Sequence, residues 1–138
     1  MAERGVGRRS TLVWSHVSFC AGLTLLLLGC AGNLRLQKAS LQPLPSPGPT
    51  YVLVAEANGD PEDGSSRPLP VGTRLQQIAT IPQGAVLRPL NREIQITAGD
   101  RYEAYIVAAG TVWNGYYLPY EQAILPLKQN IELKWTTP

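Results

Sequence analysis

The sequence predicts a small, mainly β domain, either a barrel or a sandwich of six or seven short strands, that follows a signal peptide and an extended proline-rich tether. Three observations lead to this prediction. The chain begins with a basic segment and an apolar run, residues 43–49 alternate proline with other residues, and residues 51–138 contain several short stretches of β-rich composition. The predicted boundaries are 1–29 for the signal peptide, 30–50 for the linker and 51–138 for the β domain.

Residues 1–29 have the features of an export signal. The first nine residues contain three arginines and one acid, and a largely apolar run follows from Leu12 to Gly29. Its uninterrupted part, Phe19 to Leu28, is about half of the roughly 20 residues that a helix needs to cross a bilayer. We therefore expect a removable signal and not a permanent transmembrane span.

The apolar run ends in Leu27-Leu28-Gly29-Cys30. This ending resembles the lipobox of bacterial lipoprotein precursors, and the resemblance covers these four residues and the signal before them. It implies cleavage after Gly29 and lipidation of Cys30, which would carry covalent diacylglyceryl and acyl groups; no other cofactor is expected. Because Ala31 and not aspartate follows, the resemblance to Gram-negative lipoproteins implies anchoring at the periplasmic face of the outer membrane. The alternative is an ordinary signal or uncleaved anchor with an incidental cysteine.

Cleavage at Cys30 would change the chemistry available to the protein. The signal contains the single histidine, His16, the other cysteine, Cys20, and three arginines, so the mature chain keeps nine basic and nine acidic side chains. Zinc sites of the Cys/His type and Ser-His or Cys-His nucleophile pairs would then be absent. No clustered basic patch indicates a nucleic-acid partner. We therefore predict that the protein is not an enzyme and binds no nucleic acid.

Residues 31–50 are predicted to be a tether. They begin with a mixed polar stretch and end in Pro43-Leu44-Pro45-Ser46-Pro47-Gly48-Pro49. Proline fixes φ and has no amide donor, so we expect an extended, polyproline-like segment that does not join a sheet. At about 3.1 Å per residue, such a tether would hold the domain up to roughly 60 Å from the membrane. A proline-rich ligand for a partner domain is the alternative.

Strands are predicted from alternation and β-rich composition. Residues 94–97 and 130–135 alternate apolar and polar side chains, which is typical of strands with one buried face. Residues 102–109 carry apolar side chains on both faces and are predicted to form a central strand. The remaining candidate strands are residues 51–55, 86–88 and 112–113, and residues 75–81 fit a strand or one or two helical turns.

Turn residues complete the predicted topology. Asn114-Gly115 is the strongest hairpin signal, because both residues tolerate positive φ. Pro119 is expected to open a short helix that continues to Leu125. Residues 58–73 are rich in Gly, Pro, Ser and acids and are predicted to form a long loop. The strand count, the size and the helical turn before the last strand favour an SH3-like barrel, by analogy of topology alone.

Trp113, Tyr116, Tyr117 and Tyr120 form an aromatic cluster that is the candidate contact surface for a partner or a glycan. Tyrosine and tryptophan combine a large apolar area with a polar group, and they are enriched where proteins contact partners. The alternative is that these rings fill the core of a domain that lacks phenylalanine after the signal.

Charged residues are interpreted as solvated surface. The four oxygen-bearing side chains within residues 58–63 do not have the spacing of a calcium-binding EF-hand loop, so no metal site is predicted. Arg88, Arg92 and Arg101 are expected to pair with neighbouring acids at the surface. Sequence spacing also does not place two carboxylates at the separation that glycoside hydrolysis requires.

The sequence therefore predicts a lipid-anchored, non-catalytic lipoprotein of the cell envelope, whose β domain docks onto another envelope protein. The lipid anchor would bind the membrane, and a secretion, conjugation or envelope-assembly complex would supply the protein partner. The alternative is a module that binds peptidoglycan or another glycan through Trp113, Tyr116 and Tyr117.

Overall fold

The computed structural model describes residues 34–138, so the signal, Cys30 and the first residues of the linker lie outside the described residues. All regular secondary structure in this part of the chain is β. The strands are β1 (Gln37–Lys38), β2 (Gln42–Pro43), β3 (Thr50–Leu53), β4 (Arg74–Ile81), β5 (Gly84–Pro89), β6 (Gln95–Ala98), β7 (Asp100–Glu103), β8 (Tyr105–Ala109), β9 (Val112–Leu118), β10 (Ala123–Glu132) and β11 (Trp135–Thr136).

The strands form one nine-stranded antiparallel sheet and one separate hairpin. The order of the large sheet is β1-β10-β9-β8-β5-β4-β3-β11, with β2 also paired to β4, and the hairpin is β6-β7. The prediction of a mainly β domain is confirmed. The sheet is not a closed barrel, and the SH3-like topology is not confirmed. The predicted central strand is present as β8, which lies between β5 and β9, although its first residues belong to β7.

The predicted tether is wrong for residues 34–50, because this segment is part of the sheet. Its strand β1 pairs with β10, and β2 pairs with β4 even though β2 includes Pro43. The amides of Leu44 and Gly48 donate to the carbonyls of Ile78 and Gln77 at 3.1 and 3.2 Å. Pro43 is tolerated because β2 is only two residues long and lies at the end of the ladder, where a missing donor costs little.

The N-terminal segment also shows that the sheet is strongly curled. The partner of β2 on β4 is residues 79–80, which already pair with β5 on their other side, so β1 and β2 lie at opposite ends of the row β10-β9-β8-β5-β4. In a flat sheet with strands about 4.8 Å apart, β1 and β2 would be separated by roughly 29 Å. The chain from Lys38 to Gln42 spans at most about 14 Å. The row must therefore curl until one short segment contacts both of its ends.

Both faces of the curled sheet are buried. The larger core contains the side chains of Leu75, Leu87, Ile106 and Leu125, among others. The opposite face carries a smaller core formed by Ala79, Ile81, Val86, Val107, Tyr117 and Ile124. Ala39 and Leu41 of the N-terminal segment pack against this smaller core, so the segment is also a hydrophobic cover.

The predicted turn at Asn114-Gly115 is wrong, because both residues lie inside β9. The register with β8 shifts at this point: Val107 pairs with Gly115, and the next residue of β8 pairs with Trp113. Asn114 is therefore the extra residue of a β-bulge. Gly115 allows a close approach, since a methyl group there would lie 3.1 Å from the carbonyl oxygen of Leu125, a tight contact. The turn between β8 and β9 uses Gly110 instead, at φ 65°.

The predicted helix after Pro119 is also absent from the structure. The chain forms one turn, in which the amide of Gln122 donates to the carbonyl of Leu118 at 2.8 Å, and Gln122 has a positive φ of 54°. Strand β10 then begins at Ala123. The apolar side chains that follow are buried as a strand, and the pairing with β9 outweighs their local helical preference.

Candidate functional site

The aromatic cluster divides into a buried and an exposed part. Trp113, Tyr116 and Tyr117 are at most 1% exposed, whereas Tyr120 is 80% exposed in the turn before β10. The three buried rings fill the core, as the alternative interpretation expected. In this conformation they offer no contact surface to a partner or a glycan, and only Tyr120 keeps that candidate role.

Trp113 and Tyr116 hold the loop of residues 58–73 against the sheet. Their rings meet edge to face with centroids 5.3 Å apart, and the indole Nε1 donates to the Gly115 carbonyl at 3.0 Å. The Tyr116 hydroxyl donates to the carbonyl of Gly59 at 2.6 Å. Gly59 itself lies against the indole, where a methyl group would come within 2.5 Å of the ring. These contacts fix the position of the loop that follows.

Ser66 extends this network into the loop. Its hydroxyl oxygen lies 2.8 Å from the Tyr116 hydroxyl and 3.0 Å from the Gly59 carbonyl oxygen. Burial raises the pKa of Tyr116 to about 12; the hydrogen bond with Ser66 acts in the opposite direction and the charge of Asp60 in the same direction. The phenol is therefore neutral in ordinary conditions and acts as a structural donor.

The segment that follows Ser66 forms one wall of a groove of about 660 Å³. Residues 65–70 form this wall, and residues 92–95 with Thr97 and Arg101 form the other; Glu56 also lines it. We call this feature the arginine groove, because Arg67, Arg92 and Arg101 all line it. Its volume lies within the roughly 300–1,000 Å³ of ligand-binding clefts.

Backbone pairing positions the two walls. Ser65 and Thr97 exchange both backbone hydrogen bonds at 2.9 Å, which joins the loop to β6. Further along, Leu69 exchanges two bonds with Ala57 at 2.7 and 2.9 Å. Leu69 and Ile94 are 3% and 4% exposed and give the groove an apolar base. The first bridge joins the two walls at Ser65, and the second holds the far end of the loop wall to Ala57.

The groove has an excess of positive charge. Three arginines and two glutamates, Glu56 and Glu93, line it, and all five side chains are solvent-exposed. Within residues 34–138 no carboxylate lies within 4.0 Å of these guanidinium groups; the ion pair found in this part of the chain is Lys128 with Asp60 at 3.9 Å. The predicted pairing of Arg92 and Arg101 with neighbouring acids is therefore not formed.

Guanidinium groups bind carboxylates and phosphates through paired N–H donors, so this arrangement suits an anionic ligand. A metal site is not indicated, because residues 34–138 contain no group of three His, Cys, Asp or Glu side chains placed to hold an ion. In the acidic loop, Asp60 contacts Lys128 and Asp63 accepts a hydrogen bond from the Arg35 amide at 2.9 Å.

Sequence reasoning identified two of the groove arginines only as surface charges, and it did not select Arg67, Ser65 or Gln95. Arg67 and Arg101 are far apart in the chain, and they reach one groove because the loop is bridged to β6. The sequence feature that could have identified Arg67 is its position in a Gly/Pro/Ser-rich loop. Such a position does not show which part of the fold the loop packs against.

Searches against protein-family models, curated proteins and solved structures found no match to this chain. Residues 34–138 contain no helix of the length and apolarity that a membrane span needs.

Proposed function

We propose that this chain is a lipid-anchored, non-catalytic lipoprotein of the bacterial cell envelope, whose β domain docks onto another envelope protein. A secretion, conjugation or envelope-assembly complex is the class of partner that we consider. The anchor is Cys30, which follows an apolar signal and a small residue, Gly29. The outer membrane, at its periplasmic face, is the proposed location.

The observation that carries this proposal is that the sheet begins almost immediately after the lipidation site. Leu34 and Leu36 already pack against the larger core, and β1 begins at Gln37. From Cys30 to Leu34 the chain spans at most about 14 Å. A lipid on Cys30 would therefore hold the domain next to the bilayer, where a docking surface would face other envelope components at close range.

Two exposed features are available for docking. Tyr120 presents an aromatic ring at the turn before β10, and the arginine groove presents cationic side chains with no carboxylate partner among residues 34–138. The glycan-binding alternative has little support, because the three rings on which it depends are in the core. The absence of histidine after residue 29 supports a binding role over nucleophilic catalysis.

The anchor is tested by Cys30→Ser in the full-length protein. We expect this variant to lose labelling by a palmitate analogue and to leave the membrane fraction. Cys20→Ser is the matched control, since Cys20 lies inside the apolar run, and it should keep both properties. Unchanged labelling of Cys30→Ser would contradict the lipobox assignment.

Docking is tested in living cells with a photocrosslinking amino acid placed at Tyr120 or at Arg101, and at exposed Lys134 as a control position. One envelope protein should be captured from at least one of the first two positions and not from the control. If neither the Tyr120 position nor the Arg101 position captures a specific protein, the docking proposal is contradicted.

A further inference from the structure

Strand β6 has a backbone edge inside the arginine groove that is unpaired at Gln95 within residues 34–138. The amide of Ala104 donates to the carbonyl of Ile94, so these two residues form a hydrogen-bonded pair of the hairpin. In an antiparallel ladder hydrogen-bonded and non-hydrogen-bonded pairs alternate, which turns the backbone groups of Gln95 and Thr97 away from β7. Thr97 uses its groups to bind Ser65, whereas Gln95 forms no bridge with the loop.

The N–H and C=O of Gln95 therefore point to the side on which Thr97 binds Ser65. In the register set by that bridge, the loop residue opposite Gln95 is Arg67, and neither it nor any other residue within 34–138 bonds to the Gln95 backbone. An unpaired strand edge is a template for another extended chain, which can add to the sheet through main-chain hydrogen bonds. The groove thus has a peptide-binding element as well as a charged rim.

The charges indicate what kind of peptide fits. Arg67, Arg92 and Arg101 have no carboxylate partner within residues 34–138, and each can form a charge-assisted pair with a ligand carboxylate. Glu56 and Glu93 line the same groove, so these five side chains leave an excess of one positive charge. A nucleic acid could contact the arginines but would leave the edge of β6 unpaired. A lipid phosphate would satisfy an arginine but would leave the edge of β6 unpaired.

We propose that the arginine groove binds an extended acidic segment of the docking partner, which pairs with β6 at Gln95 while its carboxylates contact Arg67, Arg92 and Arg101. This inference rests on the proposed function and names the surface and ligand chemistry of the docking step. Apolar side chains of the segment would lie over Leu69 and Ile94.

The first experiment uses the full-length chain in detergent and a fluorescent synthetic peptide of alternating glutamate and valine. Arg67→Gln and Arg101→Gln should each weaken binding about threefold to tenfold, the range for losing one partly solvated ion pair. Arg88→Gln is the matched control, because Arg88 is exposed on β5 and does not line the groove. It should bind like the unmodified protein. A control peptide in which glutamine replaces every glutamate should bind the unmodified protein more weakly than the glutamate peptide does.

The second experiment separates backbone pairing from side-chain contact. Gln95→Pro removes the free N–H and should abolish peptide binding, whereas Gln95→Ala keeps the N–H and should retain binding within about twofold. Thermal unfolding checks that Gln95→Pro remains folded; the arginine variants change only exposed side chains and test the groove independently of it.

Three outcomes would overturn the inference: no peptide binding to the unmodified protein, equal binding by the groove variants and the Arg88→Gln control, or binding to phosphatidylglycerol vesicles in place of the peptide. In cells, the double variant Arg67→Gln with Arg101→Gln should lose photocrosslinked capture from Tyr120. If that capture persists, the groove is not the docking surface and the proposed function stands; if the protein with an unmodified groove gives no specific capture from either Tyr120 or Arg101, the proposed function itself fails.

Discussion

Tyr116 connects the largest core of the molecule to the loop that forms the groove. Its ring packs edge to face on Trp113, and its hydroxyl reaches the Gly59 carbonyl, which has Ser66 as a second neighbour. The backbone of the loop has little regular structure. The hydrogen bond from this phenol therefore holds the loop where backbone hydrogen bonds would hold a strand. Tyr116 was predicted from the sequence to contact a partner or a glycan. In the structure it instead supports the loop that forms one wall of the arginine groove.

The variant Tyr116→Phe should lower the free energy of unfolding by about 1 kcal/mol, because the ring is kept and one hydrogen bond is lost. The loss is limited since the Ser66 hydroxyl lies 3.0 Å from the same carbonyl oxygen and can still donate to it. Urea unfolding measures the change. Tyr120→Phe is the control, as its ring is 80% exposed, and a similar loss in both variants would contradict this role.

The same phenol predicts a loss of stability at high pH. Its pKa is raised from 10.0 to about 12 in the folded protein, chiefly by burial. Its contribution is complete below pH 10 and is lost as the pH rises toward 12, because the unfolded chain releases the proton first. The free energy of unfolding should fall by up to about 1.4 kcal/mol per pH unit in this window.

Chemical unfolding at a series of alkaline pH values checks this prediction, with Tyr116→Phe as the reference. The variant should show a shallower decline but not a flat one, because burial also raises the pKa of Tyr105 and Tyr117. Equal slopes in the two proteins would show that Tyr116 ionises normally in the folded state.

At the scale of elements, the N-terminal segment has the clearest test. Leu41 lies half-buried against the smaller core, whereas its neighbour Gln42 is exposed. Leu41→Glu should lower the free energy of unfolding by about 1–2 kcal/mol, since burying a leucine fully contributes about 1.5–3 kcal/mol. Gln42→Glu should change it by less than about 0.5 kcal/mol. A segment outside the fold would tolerate both changes equally in urea unfolding.

The elements that sequence patterns predicted well are those with local causes. Ile94 and Ile96 alternate with polar residues, and both are buried on the face opposite Gln95 and Thr97. Asn114-Gly115 misled because the same residues that favour a hairpin turn also suit a bulge. In the structure these residues lie where β9 pairs with β8 and the register shifts, and no local pattern contains that long-range pairing.

The N-terminal segment was misassigned for a related reason. Its prolines predict extended backbone, but a short extended stretch can also complete a sheet when the prolines fall where no donor is needed. Ala39 and Leu41 carried the signal for burial, and two apolar residues separated by one serine are too few to distinguish a cover from a linker. The groove could not be predicted at all, because it depends on the bridge between Ser65 and Thr97.

For the whole molecule, the proposed lipid on Cys30 predicts a domain close to the bilayer, because Leu34 is only four residues away. In the variant Lys134→Cys, the introduced cysteine would be the one free thiol of the mature chain if Cys30 is acylated. A donor dye on this cysteine should transfer energy efficiently to acceptor dyes in the lipid. A domain of about 100 residues has a radius of gyration near 13 Å, so even a distant site stays within range. A flexible spacer inserted after Ala31 should reduce the transfer. No change with the spacer would contradict a short connection.

The position of the N-terminal segment also determines how mechanical load would enter the protein. With a lipid on Cys30, a pull by the docked partner passes through residues 34–43 and reaches β10 at one end and β4 at the other. Tension would first load the packing of Leu34 and Leu36 against the larger core, and then the two residue pairs that join β1 to β10. The hydrophobic contacts of Ala39 and Leu41 with the smaller core come next, so load would reach the pairing of β2 with β4 only after these contacts had yielded.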